Sequence, residues 1–298
     1  MYTNDYKVSV IMPTYNRINV ISNAIDSVLN QSFQNFQLII CDDGSNDSTE
    51  DLINELYSQK LDENKIIYLK QKNSGVSKAR NLCLKNADGD LIAYLDSDNI
   101  WLEYYLEKMV SIFNSLNYDT AYCTVEVIDN HSRQLCKEIY GKSKFVLNVE
   151  YDREKILKEN FIDLNIFMHK AELYHELGGF NESLKSMVDW ELILRYTKNH
   201  KPFFLDEVLA QRYLDDNLNN ITYTVGHKND HKKIMDLYND EIIMTKLQSD
   251  LKIKEKTIKN LESVLKNQKN KINKMESSKS WKITKPIRKI GNFLRKDN

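Results

Sequence analysis

The sequence predicts an α/β protein with a doubly wound, mostly parallel sheet, helices on both faces and a helical or coiled-coil C-terminal extension. Apolar runs and helical patterns alternate through the first 120 residues. The runs are rich in Ile, Leu and Val without alternation, which is typical of parallel strands buried on both faces. Right-handed crossovers place the connecting helices against such a sheet. After about residue 240 the apolar spacing changes to heptads, which predicts a long helix.

Four strands separated by three helices are predicted in the first 95 residues. The predicted strands are Val8–Met12, Phe36–Cys41, Lys65–Leu69 and Asp90–Leu95. The predicted helices follow apolar positions at 20–29, an N-cap signal at Asp47-Ser48, and the segment Ser74–Lys85. Residues 120–215 are less regular, with a strand predicted near Ala121–Ile128 and helices near Lys170–Leu177 and Asp189–Asn199.

Residues 240–276 carry a heptad pattern that predicts a coiled-coil helix. Ten positions from Met244 to Met275 are spaced alternately by three and four residues, with Lys254 and Gln268 as the polar members. Such a stripe pairs with another helix, so we expect a homo-oligomer formed through 244–275. The alternative is a single amphipathic helix folded back on the rest of the chain.

The last segment, 277–298, is predicted to be a basic amphipathic tail. From 280 to 296, Lys and Arg surround an apolar stripe, which suits the headgroup region of an anionic membrane. The alternative is a helix docked on its own domain. Nucleic acid is the weaker interpretation, because no binding motif accompanies the charge. With no signal pattern and no apolar run of about 20 residues, we expect a cytoplasmic protein, peripheral on the inner face of the membrane.

The charge is distributed unevenly, although the 298 residues carry a net charge of only −1. Residues 241–298 hold 16 Lys and Arg against 6 Asp and Glu, a net of +10, which leaves −11 for residues 1–240. Such an asymmetry predicts a tail that meets polyanions. With 8 Gly, 3 Pro and 41% apolar residues, the composition excludes collagen-like and disordered classes. Four cysteines without C-x-x-C spacing argue against a zinc site or a disulfide framework.

Polar clusters follow three of the predicted strands. They are Pro13–Arg17, Asp42–Ser45 and Asp96–Asp98. In an open α/β sheet, ligands bind beyond the carboxyl ends of the strands at the switch point, so we expect the clusters to converge there. A Gly-x-Gly-x-x-Gly fingerprint and a P-loop are both missing, which argues against a dinucleotide oxidoreductase and an ATPase.

Paired carboxylates in two of these clusters indicate the chemistry. Asp96 and Asp98 offer hard oxygen donors that Mg²⁺ or Mn²⁺ prefers, with phosphates completing the coordination shell. A bound ion would stabilise a diphosphate leaving group. In the other cluster, Asp42 or Asp43 could accept the imide N–H of a uracil, beside the stacking face of Tyr15. An acidic turn is the alternative interpretation for both pairs.

In their order and spacing these motifs resemble the family-two glycosyltransferases of the GT-A fold, and the tail SKSWKITKPIRK (278–289) is similar to an ending seen in many bacterial polysaccharide glycosyltransferases. The matching stretches are VSVIMPTYNR (8–17), CDDGSNDST (41–49), NSGVSKARN (73–81), DLIAYLDSDNIW (90–101) and the acceptor-side LGGFNESLKSMVDWELILR (177–195). The resemblance covers about residues 6–215. It implies a GT-A domain over 1–235, with a nucleotide half at about 1–118 and an acceptor half at about 119–235.

The resemblance implies a role for each matching position. The residues that would line or approach the nucleotide are Pro13, Tyr15, Arg17, Asp42, Asp43, Arg80 and Asp96. Asp98 would coordinate the metal directly, and Asp96 would approach both the metal and the ribose. Asp189 falls where the family has its catalytic base. That base takes the proton of an acceptor hydroxyl as it attacks the anomeric carbon from the far side, which inverts the configuration.

Two departures from the family's pattern concern these roles. The family usually has Glu-Asp where this chain has Val188-Asp189, so a supporting carboxylate is missing, and Glu191 is not expected to replace it. Many relatives also carry a histidine about 25 residues beyond the base, where this chain reads QRYLDD (211–216). The candidate replacements are Asp215 or Asp216 as oxygen ligands, Arg212 as a phosphate-binding group, and His227 and His231, which are interpreted first as surface residues.

We therefore expect an inverting, metal-dependent, hexosyltransferase-like enzyme that moves a sugar from a UDP-linked donor to a glycan or lipid-linked acceptor in surface polysaccharide synthesis. The alternative is a catalytically degenerate, nucleotide-binding scaffold that assembles through its coiled coil, which Val188 and the missing histidine favour. A nucleotidyltransferase is a third class, but PTYNRINV lacks the Gly-rich basic loop that this class carries after its first strand.

Overall fold

The computed structural model describes residues 6–129, 144–214, 227–279 and 282–284. The chain divides into two compact units, with the boundary between Tyr238 and Asn239. Within the described ranges, no helix combines the length and the apolar character that crossing a bilayer requires.

The first unit alternates strands and helices. Its strands are β1 (Val8–Thr14), β2 (Phe36–Asp42), β3 (Ile66–Lys70), β4 (Leu91–Tyr94), β5 (Ile100–Trp101), β6 (Thr120–Asp129), β7 (Lys144–Leu147), β8 (Phe167–Lys170) and β9 (Phe203–Leu214). Its helices are α1 (Ile21–Leu29), α2 (Thr49–Asp62), α3 (Val76–Lys85), α4 (Tyr105–Ser115), α5 (Arg153–Ile156), α6 (Ala171–Leu177), α7 (Val188–Tyr196) and α8 (His227–Leu237). A 3-10 turn at Leu164–Ile166 precedes β8.

The described strands form one mixed sheet in the order β3-β2-β1-β4-β8-β6-β9-β5, with β7 also paired to β6. The first four strands in this order are parallel, as the sequence predicts. β8 then runs antiparallel to both β4 and β6, and β9 returns parallel to β6. The α/β class is confirmed, and its parallel part is the half that carries the polar clusters.

The core lies where β1 and β2 are covered on both faces. Every residue of these two strands is buried, which explains their largely apolar character, and the buried polar Gln37 donates to Ser9 Oγ over 2.7 Å. Helix α1 buries Ile21, Ala24, Ile25 and Val28, the spacing that places side chains on one helical face. Burial of each Ile or Val side chain in this set contributes roughly 1.5–3 kcal/mol by removing it from water. This burial fixes the strand ends that bear the site.

The start of α2 differs in detail from the predicted N-cap. Ser48 occupies the cap position with φ 60°, and its side chain makes no capping hydrogen bond. The Asp47 carboxylate accepts from the Thr49 N–H over 3.2 Å and from the Ile18 N–H over 3.1 Å. Asp47 therefore joins the start of α2 to the loop after β1, while the neighbouring serine only turns the chain.

The longest helix among the described residues of the second unit is α9 (Asn239–Ser277). None of its 39 residues is buried. Its apolar stripe is open to solvent, with Leu261 63% exposed and Leu265 53% exposed. Apart from 282–284, the predicted basic tail at 280–296 lies outside the described residues.

Candidate active site

The carboxyl ends of three neighbouring parallel strands meet at one edge of the sheet. Thr14 at the end of β1 lies opposite Asp42 at the end of β2, and β4 pairs with the other side of β1. The Asp43 N–H donates to the Thr14 carbonyl over 2.9 Å, and the Leu95 N–H donates to the Ile11 carbonyl over 3.1 Å. The structure therefore brings all three polar clusters to the same edge.

The loop after β1 is tied to the loop after β2 by two hydrogen bonds. The Asn16 N–H donates to Ser45 Oγ over 2.8 Å, and the Asn46 N–H donates to Asn16 Oδ1 over 3.0 Å. On this loop the Tyr15 ring is 44% exposed, whereas Pro13 is buried within β1. An exposed aromatic ring on a fixed loop offers a face on which a nucleobase can stack.

Asp42 is fully buried and holds the turn after β2. It accepts from the Ser45 N–H and from the Tyr68 hydroxyl, each over 2.7 Å. Burial and the adjacent Asp42 carboxylate raise the pKa of Tyr68 well above its usual value, so the hydroxyl keeps the proton that it donates. Asp42 thus has the structural role that the acidic-turn interpretation expects.

Asp43 organises the loop between β3 and α3. Its Oδ1 accepts from the Gln71 side chain over 2.7 Å and from the Ser74 N–H over 2.8 Å, and its Oδ2 accepts from the Gly75 N–H over 2.8 Å. Gly75 has φ 95°, a conformation that favours glycine. A carboxylate oxygen can accept two hydrogen bonds, so Asp43 Oδ2 retains capacity for one further N–H.

Arg80 of α3 forms the closest ion pair of the site. Its Nη2 lies 2.6 Å from Asp96 Oδ1, with the arginine side chain 7% exposed and the aspartate side chain 34% exposed. The Arg80 guanidinium also faces the Phe180 ring, with 5.2 Å from Cζ to the ring centre. Arg80 Nε is buried without a hydrogen-bond partner among the described residues.

Asp98 lies beside Arg17, with 3.6 Å between Nη2 and Oδ2, too long for a hydrogen bond. Burial and repulsion from Asp96, against the attraction of Arg17, raise the pKa of Asp98 to about 6. Among the described residues, no group of three or more His, Cys, Asp or Glu is placed to hold a metal ion. Two carboxylates with water and substrate phosphates are nevertheless the usual ligands of Mg²⁺ in phosphate-binding enzymes, so the donors present fit such an ion.

A network around Asp163 connects the Asp96 loop to β9. Asn165 Oδ1 accepts from the Asp96 N–H over 2.6 Å, and Asn165 Nδ2 donates to Asp163 Oδ1 over 2.7 Å. Asp163 Oδ2 lies 3.0 Å from Arg212 Nη1, and the Asp163 side chain is 6% exposed. Sequence reasoning missed Asp163 and Asn165, because the stretch FIDLNIF carries no motif that separates them from an ordinary turn.

Asp189 is the second residue of α7 and lies in the electrostatic field of Arg80, Arg212 and Asp163. The Asn160 side chain donates to Asp189 Oδ2 over 3.2 Å. Burial raises the pKa of Asp189 against the opposing effect of Arg80 and Arg212. Upstream of α7, the buried Asp230 of α8 accepts from the Lys185 and Ser186 N–H groups over 2.8 and 3.0 Å. This contact fixes the chain that leads to Asp189.

Asn81, the neighbour of Arg80, joins the backbone at Phe180 to α3. Its Oδ1 accepts from the Phe180 N–H over 2.8 Å, and its Nδ2 donates to the Phe180 carbonyl over 3.0 Å. A Cβ on Gly179 would overlap Asn81 Oδ1, which explains the glycine at this position. Two adjacent residues of α3, Arg80 and Asn81, therefore contact the Asp96 loop and the Phe180 segment respectively.

Glu191 does not supply the carboxylate that is missing at Val188. Both of its oxygens accept from the Arg195 guanidinium, each over 2.9 Å. The same guanidinium donates to the carbonyls of Leu177, Gly178 and Gly179 at 2.7–2.8 Å. Glu191 and Arg195 thus hold the Gly-Gly turn in place and lie outside the charge network of Asp189.

The structure describes only some of the candidate replacements for the family's histidine. Arg212 lies in the network, as stated above. The ring of His231 packs against Trp190, with centroids 5.6 Å apart. Asp215, Asp216 and the side chain of His227 lie outside the described residues. Among the alternatives to the family's histidine that the structure describes, Arg212 is the one that lies at the site.

Comparison with known proteins begins with the sequence. The profile of the family described as Glycosyl transferase family 2 matches residues 9–173, more than half of the chain. The Escherichia coli UDP-Glc:alpha-D-GlcNAc-diphosphoundecaprenol beta-1,3-glucosyltransferase WfgD is 39% identical over 155 residues, which are 52% of this chain and 56% of that protein. Chondroitin synthase from Pasteurella multocida is 29% identical over 226 residues, 75% of this chain and 22% of that protein. The chain thus spans only part of the length of these relatives.

Solved structures share the fold. S. aureus TarS 1–349 in complex with UDP-GlcNAc matches with a TM-score of 0.62 at 22% identity, over 78% of this chain and 65% of that one. Mannosyltransferase PcManGT from Pyrobaculum calidifontis, in complex with GDP-Man and Mn²⁺, matches with a TM-score of 0.56 at 18% identity, over 72% and 58% of the two chains. These likenesses confirm the GT-A-like fold. The profile match establishes that this chain belongs to glycosyl transferase family 2.

Proposed function

We propose that the chain is an inverting, divalent-metal-dependent glycosyltransferase that moves a sugar from a UDP-linked donor to a glycan or lipid-linked acceptor in surface polysaccharide synthesis. The observation that carries the proposal is the single charge network formed by sequence-distant residues. Arg80 pairs with Asp96, while Asp189 lies in the electrostatic field of both Arg80 and Arg212. The residues proposed as donor-binding cations, metal-binding carboxylates and catalytic base therefore lie at one edge of the sheet.

The donor would be held by groups that match its parts. The base stacks on Tyr15 and donates an N–H to Asp43, which retains one free acceptor position. The diphosphate meets Arg80, Arg17 and Arg212, whose guanidinium groups bind phosphate oxygens well. A divalent ion on Asp96 and Asp98 would neutralise the diphosphate as it leaves with the nucleotide.

The sugar would be transferred by direct attack of an acceptor hydroxyl. The acceptor oxygen forms the new bond to the anomeric carbon as the bond to the diphosphate oxygen breaks, so the leaving group carries away the electron pair. Asp189 takes the hydroxyl proton during this step. Burial raises the Asp189 pKa, which makes its carboxylate a stronger base than an exposed aspartate. Attack from the side opposite the nucleotide inverts the configuration.

The relatives support the choice of substrates. The name of the E. coli relative specifies UDP-Glc as donor and a diphosphoundecaprenol-linked GlcNAc as acceptor. TarS has been solved with UDP-GlcNAc, and PcManGT with GDP-Man and Mn²⁺. A UDP-sugar, a lipid-linked glycan and Mn²⁺ or Mg²⁺ are therefore the first combination to test.

A catalytically degenerate scaffold is the second candidate, because Val188 stands where the family has a glutamate and Glu191 is committed to Arg195. The two candidates are separated by a donor screen on the purified full chain. Nucleotide release is measured from UDP- and GDP-sugars with Mn²⁺, with Mg²⁺ and with EDTA. Metal-dependent UDP release is expected if the chain is an enzyme. No release from any donor with either metal would favour the scaffold instead.

The extension would locate and assemble the enzyme. The open apolar stripe of α9 supports self-association through 244–275. The basic residues of 280–296 would hold the protein on the inner, anionic face of the membrane, at roughly 1 kcal/mol for each basic residue near the surface. A truncation after residue 240 should lose binding to phosphatidylserine vesicles at low salt. Retained binding would contradict this assignment.

A further inference from the structure

Helix α9 presents an apolar stripe that its own unit leaves open. No residue from Asn239 to Ser277 is buried, and the apolar members of the stripe are 53–63% exposed. They are Met244, Leu247, Leu251, Ile258, Leu261, Leu265, Ile272 and Met275. At 1.5 Å per residue the stripe is about 48 Å long. A stripe at heptad spacing is buried best by a second helix of the same kind.

The charges beside the stripe distinguish the possible orientations of such a pair. In an antiparallel pair that overlaps 244–275 fully, Asp250 lies opposite Lys271 of the second copy, and Glu255 lies opposite Lys269 of the second copy. The two-fold symmetry repeats each pair, which gives four attractive contacts. One like-charged contact remains, between Glu262 and its own counterpart. Sliding the helices by one heptad in either direction removes both named matches.

A parallel pair brings like charges together instead. Asp250 would then face Glu255 of the second copy, and Lys271 with Glu276 would be the attractive combination. Lys254 lies in the stripe itself, so a parallel pair would place two Lys254 side chains against each other across the core. In the antiparallel pair Lys254 faces Leu265, and Gln268 faces Leu251, so each can extend its polar end toward solvent. Flanking charges and polar core positions are the features that select orientation in coiled coils.

We propose that α9 binds α9 of a second copy of this chain as an antiparallel, two-stranded coiled coil in the fully overlapping register. The occupant of the stripe is thus a second copy, chosen by charge complementarity. The proposal extends the self-association stated above by giving it an orientation, a register and a stoichiometry. It does not depend on whether the first unit transfers a sugar, so the failure of one leaves the other standing.

Cysteine pairs test the orientation in the full chain. Leu247 lies opposite Ile272 of the second copy in the antiparallel register, whereas each faces its own counterpart in a parallel pair. Leu247→Cys and Ile272→Cys proteins are made in a Cys136→Ser background, because the other three cysteines are buried. In a glutathione redox buffer, an equimolar mixture should form the mixed disulfide, and each protein alone should stay reduced. Self-crosslinked single variants would overturn the proposal.

A charge reversal provides an independent test by sedimentation equilibrium. Lys269→Glu places two new repulsive contacts in the antiparallel pair, so the dimer dissociation constant should rise about tenfold. In a parallel pair Lys269 faces Val264, and the same change has no such effect. Lys256→Glu on the outer face of the helix is the matched control. Equal effects of the two variants, a monomer at all concentrations, or a trimer would each contradict the proposal.

Discussion

The Arg80 guanidinium lies 2.6 Å from Asp96 Oδ1, and its other face is covered by the Phe180 ring. Arg17 and Asp98 form a second pair at 3.6 Å, in which both side chains are about 30% exposed. The two carboxylates are proposed to share one metal ion, yet Asp96 is hydrogen-bonded to a buried arginine, whereas Asp98 is only near a partly exposed one. Removing a carboxylate from a buried, hydrogen-bonded arginine leaves an uncompensated charge, whereas removing one from a loose pair does not.

Asp96→Asn and Asp98→Asn should therefore differ in stability and agree in activity. Both should lower metal-dependent nucleotide release by about 100-fold or more, because each removes a proposed metal ligand. Asp96→Asn should also cost about 1–2 kcal/mol of unfolding free energy. Asp98→Asn should cost nothing or stabilise, because a carboxyl whose pKa is raised to about 6 disfavours the folded state when it is ionised at pH 7.

Urea unfolding and a nucleotide-release assay on both variants check this expectation. A destabilised Asp98→Asn with a fully stable Asp96→Asn would show that the contact lengths do not reflect the energetics of the two pairs.

Asp189→Asn should abolish transfer while leaving donor binding unchanged. The amide preserves the hydrogen bond geometry with little change in volume but cannot take a proton at neutral pH. We expect kcat for transfer to fall by about 10²–10⁴-fold, the range that general-base catalysis contributes. The dissociation constant of UDP, measured by calorimetry with Mn²⁺, should change less than twofold. Wild-type kcat in this variant would rule out Asp189 as the base.

Asp163→Asn should weaken donor binding through Arg212. Loss of the carboxylate releases Arg212 from its 3.0 Å contact and weakens the acceptor for Asn165, which orients the Asp96 backbone. Because Arg212 is proposed to bind the diphosphate, donor KM should rise about tenfold, with a smaller change in kcat. Glu154→Gln is the matched control, since Glu154 forms an exposed pair with Lys158. Equal KM values in both variants would mean that Asp163 has no positioning role.

Gly179→Ala should destabilise the protein through one identified contact. The new methyl group would overlap Asn81 Oδ1, which is itself held by the Phe180 backbone. We expect a loss of about 1–3 kcal/mol. In the double variant with Asn81→Ala the overlap is gone. The loss of unfolding free energy in the double variant should therefore be smaller than the sum of the losses in the two single variants. Strict additivity in urea unfolding would show that the strain arises elsewhere.

His169 should make stability fall in mildly acidic solution. It is fully buried, and its Nε2 lies 2.8 Å from the Tyr94 hydroxyl. Burial lowers its pKa to about 4, so the folded protein binds this proton less readily than the unfolded chain, whose histidine titrates near 6.5. The neutral ring's contribution is present above pH 6.5 and is lost as the pH falls toward 4, by about 3 kcal/mol in total.

Denaturant unfolding at pH 7, 5.5 and 4.5 measures this dependence. A His169→Gln variant should show a shallower decline than the wild-type protein over the same range. Parallel declines would assign the acid sensitivity to other groups.

Much of the parallel half of the fold could be predicted, because β1 and β2 are buried along their whole length and their apolar runs follow directly from that burial. The clusters at their ends could also be placed, since parallel neighbours share a carboxyl edge. The insertion of β8 between β4 and β6 could not, because β8 has four residues and its partners lie about 50 and 75 positions away. Local patterns do not encode such long-range pairing.

The positions of Asp96 and Asp98 could be predicted, because these residues directly follow a predicted strand. Asp163 acts through Asn165 and Arg212, and that role depends on where a 3-10 turn lies against β9. The partner of Glu191 could not be predicted either, because only the structure shows its bidentate contact with Arg195.

Arg80 and Asn81 are consecutive residues, one turned toward the proposed donor pocket and the other bonded to Phe180 in the acceptor-side segment. This adjacency limits how members of the family can be recombined. A chimaera that takes segment 177–196 from another member of the family also needs, at position 81, the side chain that the imported Gly-Gly turn contacts. Exchange of α3 together with that segment is thus the smallest transplant that keeps both contacts.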